Sequence, residues 1–93
     1  MSKVDLYLLH FNQPYKHAKH YLGIAKNGID RRLIEHRKGK GANLLKVIKM
    51  AGIEFTLARF WLNVPRKSEN KLKGRGLTIY CPLCSIKPRN PKL

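Results

Sequence analysis

The sequence predicts a small α+β domain: a three-stranded, mostly antiparallel sheet flanked by helices in the order β-β-α-α-β-α. Three observations lead there. Two early apolar runs, Val4 to Leu9 and Tyr21 to Ala25, are compatible with strands. Two middle stretches repeat apolar residues at helical spacing. A late aromatic-rich run, Glu54 to Val64, ends at Pro65. Strands and helices segregated in this way belong to an antiparallel sheet with helices packed on it.

The first strand is expected over 3–11, with Val4, Leu6 and Leu8 on one face and Asp5, Tyr7 and Leu9 on the other. Residues 12–19 carry Pro14 and no apolar period, which predicts a loop. A second strand over 20–25 places Leu22 and Ile24 opposite Tyr21, Gly23 and Ala25. A hairpin between the two strands can bring Tyr7 and Tyr21 to one side, with Gly23 leaving space beside them. Asn27 is the expected N-cap of a helix over 29–38, stopped by Gly39 or Gly41. A helix over 42–51 carries Leu44, Val47, Ile48 and Ala51 and ends at Gly52. The run 54–64 reads as a central strand with Phe60 and Trp61 in the core. Ser68 is expected to cap a helix over 69–74, and 78–81 to form a short strand.

Ninety-three residues suffice for one domain with a modest core and are too few for two. The expected core covers about 3–76, followed by an irregular tail over 77–93 containing prolines and cysteines. The balance of charge narrows the function. Twenty Lys and Arg against five Asp and Glu give a formal charge of +15, while 43% of residues remain hydrophobic. That describes a folded basic protein whose expected partner is a polyanion, above all nucleic acid. The cations run through every segment instead of lining one amphipathic helix, which argues against a membrane surface. No apolar stretch approaches a membrane span. Asp5 stands where a signal peptide would be apolar, so the expected location is cytoplasmic.

Cys81 and Cys84 form one Cys-Pro-Leu-Cys unit. No second pair follows it at zinc-site spacing, so zinc at Cys81 and Cys84 is not expected; a reduced thiol pair at a turn made by Pro82 is. His10, His17, His20 and His36 are possible further ligands in space.

On the first helix, Arg31 and Glu35 are four apart and able to pair, whereas Arg32 and His36, also four apart, have no carboxylate partner there. With Ile29 and Leu33 as the buried stripe, Arg32 and His36 border it and Arg31 and Glu35 point away. Arg32 is thus placed for a pocket and Arg31 for solvent. Arg31, Arg37, Lys38, Lys40, Lys46, Lys71 and Lys73 are expected to form a solvated surface toward the nucleic acid.

Taken in order, Leu6-Tyr7, Tyr21-Leu22-Gly23, Asp30 to His36, Gly39-Lys40-Gly41-Ala42 and Glu69 to Lys73 resemble the GIY-YIG nuclease family over roughly residues 4–73. The resemblance implies a small three-stranded sheet that hydrolyses phosphodiesters with one divalent metal, Mg²⁺ or Mn²⁺. It implies catalytic roles for Tyr7, Tyr21, Arg32, His36 and Glu69, with Glu69 as the metal ligand. It also implies a late asparagine, for which Asn90 is the candidate. The sequence departs from the family pattern at three places. Asp5 stands where the family has glycine, the loop between the tyrosines is longer, and Gly28 resembles a one-residue insertion.

The residue types suit the chemistry. Phosphodiester cleavage requires an activated water and neutralisation of charge on the phosphoryl oxygens. A single Glu can hold Mg²⁺, which keeps its waters and takes substrate oxygens. Arg32 would grip the phosphate through its planar fork. Tyr7 is the expected general base, assisted by Tyr21, with His36 as the competing base or a phosphate contact. The expected activity is a metal-dependent endonuclease acting on DNA, or alternatively RNA, and nicking one strand. One small domain implies low sequence specificity, or specificity supplied by a homodimer or partner. A nucleic-acid-binding domain without catalysis is the alternative on the same fold.

Overall fold

The structure is a computed structural model that describes residues 3–26, 28–74, 76–91 and 93. It contains β1 (Lys3–Tyr15), β2 (Ala18–Ala25), α1 (Ile29–Arg37), α2 (Asn43–Met50), β3 (Phe55–Pro65), α3 (Ser68–Gly74) and a 3₁₀ turn (Leu77–Tyr80). The strands form one antiparallel sheet in the order β2-β1-β3. The α+β class and the β-β-α-α-β-α order follow the sequence pattern.

β1 lies at the centre, and its composition explains why. Val4, Leu6, Tyr7, Leu8, Leu9 and Phe11 are all buried, so both faces of this strand are covered. Its alternation separates two cores. Tyr7, Leu9 and Phe11 pack with Leu33 of α1 and Leu45 and Ile48 of α2 on the front face. Val4, Leu6 and Leu8 pack with Leu22, Leu72 of α3, Tyr80 and Cys81 on the back. Residues 12–19 are not a loop: the hairpin continues, irregular between His10 and Tyr15, to a turn at Lys16 and His17. Lys16 carries the positive φ of 54° that closes it. Pro14 lies within the irregular part of the ladder, where a missing N–H costs little.

The run ending at Pro65 is an edge strand, not the central one. None of its positions is fully buried, and Phe60 is 52% exposed, so Phe60 is not a core residue. Trp61 is half-buried on the back face. β3 bulges twice against β1, and Asp5 fastens one bulge: its Oδ1 accepts the backbone N–H of Asn63 at 2.9 Å, where φ is 56°.

Asn27, the expected cap of α1, lies outside the described residues. Gly28 occupies the cap position with φ 104° and no side-chain cap bond, a conformation that glycine adopts without strain. α2 buries Leu45 and Ile48, leaving Leu44 half-buried and Val47 and Ala51 exposed, so its inward stripe is rotated from the expected one. Ser68 begins α3 and is buried. The expected strand over 78–81 is replaced by the 3₁₀ turn Leu77–Tyr80, and the core does not stop at 76. Tyr80 and Cys81 are buried against the back face, and Arg59 donates to the carbonyls of Tyr80 and Arg89 at 3.3 and 2.7 Å.

Candidate active site

The front face gathers the polar aromatic residues into one cluster. Tyr7 pairs across the ladder with Gly23 and Leu9 with Tyr21, so the tyrosines are diagonal neighbours with ring centroids 6.2 Å apart. α1 crosses this face and supplies His36, whose ring lies 5.9 Å from Tyr7 and 5.8 Å from Tyr21. Two glycines make room. A Cβ at residue 23 would overlap the ring and hydroxyl of Tyr7. A Cβ at residue 41, where φ is 99°, would meet the His36 ring at 2.7 Å.

The hydrogen bonds fix proton positions. His36 Nδ1 lies 3.3 Å from the Lys40 carbonyl oxygen, which can only accept, so Nδ1 carries the hydrogen. Nε2 is therefore the acceptor, and the Tyr7 hydroxyl donates to it at 2.7 Å. Burial, reinforced by the nearby Tyr21, pushes the Tyr7 hydroxyl up to about 12, despite the opposing Arg32 guanidinium. Burial, followed by the charge of Arg32, holds His36 below its ordinary 6.5 despite its bond to Lys40. Burial also raises Tyr21, with Arg32 opposing and Glu69 reinforcing. At neutral pH the pair is a neutral phenol donating to a neutral imidazole.

Arg32 spans the cluster and its mouth. It pairs with Glu35 at 2.9 Å and lies close enough to Tyr7 to act on it electrostatically; burial lowers the Arg32 pKa, but these two partners raise it overall. The carboxylate expected to pair with Arg31 thus belongs to Arg32. The i,i+3 spacing lets a half-buried guanidinium reach it, while Arg31 remains exposed. Outside this pair opens a cleft of about 380 Å³ lined by Lys26, Arg31, Arg32 and Arg66, with Glu35 as its single acid. Lys26 and Arg66 flank the site unforeseen. Each directly follows the end of a strand, β2 or β3, and only the folded topology brings those two ends together.

The other expected site residues fall into two groups. α3 packs against β2, and its Glu69 is half-buried, 3.4 Å from Lys73 Nζ, and close enough to act electrostatically on Tyr21. Lys38, Lys40, Lys46 and Lys71 are exposed, and the Arg37 guanidinium lies 5.1 Å from the centre of the Phe55 ring. His36 is only 1% exposed, which removes the expectation of a direct phosphate contact: it reaches the cleft only through its neighbours. Tyr7, at 0% exposure, is sealed in the same cluster, leaving Tyr21 the more accessible tyrosine. Asn90 is not brought to the cluster. Its side chain accepts from Arg59, which pairs with Leu8 on the back face, so the tail carries it to the opposite side of the sheet.

Glu69 offers a hard oxygen donor, partly open to solvent, in a region otherwise rich in Lys and Arg. That suits Mg²⁺ held by one carboxylate, waters and substrate oxygens, and not a cage of protein ligands. The back face holds a second cluster, of different chemistry: His10, His20, Cys81 and Cys84, whose ligand atoms all lie within 4.8 Å of one another. Comparisons with family models, curated proteins and solved structures give no match to this chain.

Proposed function

We propose that the chain is a metal-dependent endonuclease of the GIY-YIG type that hydrolyses phosphodiester bonds in DNA. The observation that carries this reading is the convergence of Tyr7, Tyr21 and His36 with Arg32, which also lines a cationic cleft, and Glu69 close enough to influence Tyr21. The cations lining the cleft attract the phosphate backbone, and the Arg32 fork is suited to two phosphoryl oxygens. Glu69 would hold Mg²⁺ or Mn²⁺, which when bound supplies Lewis-acid stabilisation of the phosphoryl oxygens.

The proton chemistry follows from the tautomer. Burial raises the Tyr7 hydroxyl to about 12 and lowers the His36 imidazole it is bonded to, and both shifts disfavour a resting phenolate–imidazolium pair. Tyr7 is therefore no phenolate in the free protein. In the proposed reaction the attacking water passes a proton to the Tyr7 oxygen as Tyr7 passes its own to His36 Nε2, and the Lys40 carbonyl stabilises the imidazolium through Nδ1. His36 is the final acceptor, and no free phenolate is formed. Because Tyr7 is fully covered, the groups packed around it have to move for a water to reach its oxygen.

That covering also favours a second reading, a nucleic-acid-binding domain without catalysis. End-labelled DNA incubated with and without Mg²⁺ separates the two. The nuclease reading predicts Mg²⁺-dependent fragments that disappear in Glu69→Ala and fall strongly in Arg32→Ala. Salt-sensitive binding of intact DNA with several divalent metals would establish the binding reading instead.

A further inference from the structure

We infer that His10, His20, Cys81 and Cys84 form a closed Cys₂His₂ zinc site that clamps the C-terminal segment to the back of the sheet. His10 and His20 stand directly opposite each other in the β1–β2 ladder, on the face away from the tyrosines. The Cys-Pro-Leu-Cys segment folds as a tight turn, with Cys84 N–H bonding the Cys81 carbonyl at 3.2 Å and Ser85 N–H bonding it at 3.0 Å. Pro82 at the second position favours such a turn. Both sulfurs are thereby presented to the two imidazoles. Neither cysteine is in a disulfide.

Four of the six ligand–ligand edges are close to those of a tetrahedron, and all four ligand atoms lie within 4.8 Å of one another. With Zn–S near 2.3 Å and Zn–N near 2.0–2.1 Å, regular tetrahedral geometry requires an N–N edge of about 3.4 Å and N–S edges of about 3.5 Å. His10 Nδ1 and His20 Nε2 are 3.4 Å apart. His10 Nδ1 lies 3.7 Å from Cys81 Sγ and 3.5 Å from Cys84 Sγ, and His20 Nε2 lies 3.3 Å from Cys84 Sγ. Two nitrogens and two sulfurs in this arrangement select Zn²⁺ over Mg²⁺, which requires oxygen ligands in an octahedron. Four protein ligands leave no open position, so the ion is structural and takes no part in hydrolysis.

Binding one Zn²⁺ releases two thiol protons and leaves the site neutral, so a chain of formal charge +15 gains no further charge. The mechanical consequence is larger. The clamp ties the segment after the 3₁₀ turn to the hairpin more than 60 residues earlier in the chain, as the separation of His20 and Cys84 shows. A domain of this size gains from such a staple. This inference stands independently of the nuclease reading.

The test uses the full chain purified under reducing conditions without added metal. Elemental analysis is expected to find one zinc per chain, and Co²⁺ exchanged into the site to give the visible ligand-field and near-ultraviolet charge-transfer bands of tetrahedral thiolate coordination. Chelation of the wild-type protein is expected to lower its melting temperature by on the order of 10 °C, reversed by Zn²⁺ and not by Mg²⁺. Cys84→Ser, at an exposed position, is expected to lose the cobalt charge-transfer intensity while retaining the far-ultraviolet spectrum. Absence of retained zinc together with no tetrahedral cobalt spectrum in folded wild-type protein would overturn the inference. A Cys81–Cys84 disulfide that persists under reducing conditions would also overturn it.

Discussion

The two faces of this sheet are built from the same two strands and have opposite chemical characters. On the front, Tyr7 and Tyr21 meet His36 and Arg32, and Arg32 also lines a cationic cleft. On the back, His10 and His20 meet two thiols in a set with every position taken by protein. Tyr7 and His10 are three residues apart, and so are fixed on opposite sides of β1 by a period of two. The contrast separates the two metal uses proposed for the chain. Hard oxygen donors with room for substrate suit a reaction at the front, while soft donors in a closed tetrahedron suit a staple at the back.

Front-face substitutions should break the proposed reaction and leave the fold intact. The largest expected effect is Glu69→Ala, which should reduce Mg²⁺-dependent cleavage to background in a plasmid-nicking assay with an unchanged circular dichroism spectrum. Arg32→Ala should lower the single-turnover rate by about 10²–10³-fold, the scale for removing a preorganised donor from a developing oxyanion. Retention of full rate by either variant would separate the cluster from the chemistry.

The next effect concerns pH. His36 must be neutral to take the Tyr7 proton, and burial lowers its pKa, so protonation removes the acceptor only in acid. The cleavage rate should therefore fall as pH falls, with the acid limb centred below 6.5. A limb centred above 7 would assign the proton acceptor elsewhere. Gly23→Ala comes next. Its Cβ would overlap the Tyr7 ring, and overpacking of this kind costs about 1–3 kcal/mol, measurable as a lower urea midpoint together with slower cleavage. The smallest effect is expected for Glu35→Gln. It removes the ion pair that ties Arg32 to Glu35, a partly exposed contact of small energetic weight, and by freeing Arg32 for the phosphate should raise cleavage a few-fold. A loss of rate in that variant would mean that Glu35 positions Arg32 productively and does not restrain it.

Much of the front face was legible in the sequence because its rules are local. Strand alternation put Tyr7 and Tyr21 on one side, and helical periodicity made Arg32 more buried than Arg31, but the cleft takes both arginines and Glu35, so the expected division between pocket and solvent does not hold. The partner of Glu35 was not legible, because i,i+3 and i,i+4 pairing differ only in how a guanidinium bends around its own helix. The back-face cluster was half legible. The hairpin that joins the tyrosines also puts His10 and His20 together, but nothing local brings the Cys81–Cys84 turn across the sheet. That placement depends on Tyr80 and Cys81 burying themselves and on Arg59 holding the tail. The same contacts carry Asn90 away from the tyrosines, against the expectation raised by its position late in the chain. β3 was misplaced as central because an aromatic-rich run looks alike on an edge and in a core. Its neighbour on one side only is a property of topology, not of composition.

The most direct test of the account is a Mg²⁺ titration of DNA cleavage by zinc-loaded protein, run in parallel on wild type and Glu69→Ala with their melting temperatures matched. The account predicts saturable Mg²⁺-dependent cleavage by the wild type and none by the variant. Cleavage that ignores Mg²⁺, or that survives the loss of Glu69, would contradict it.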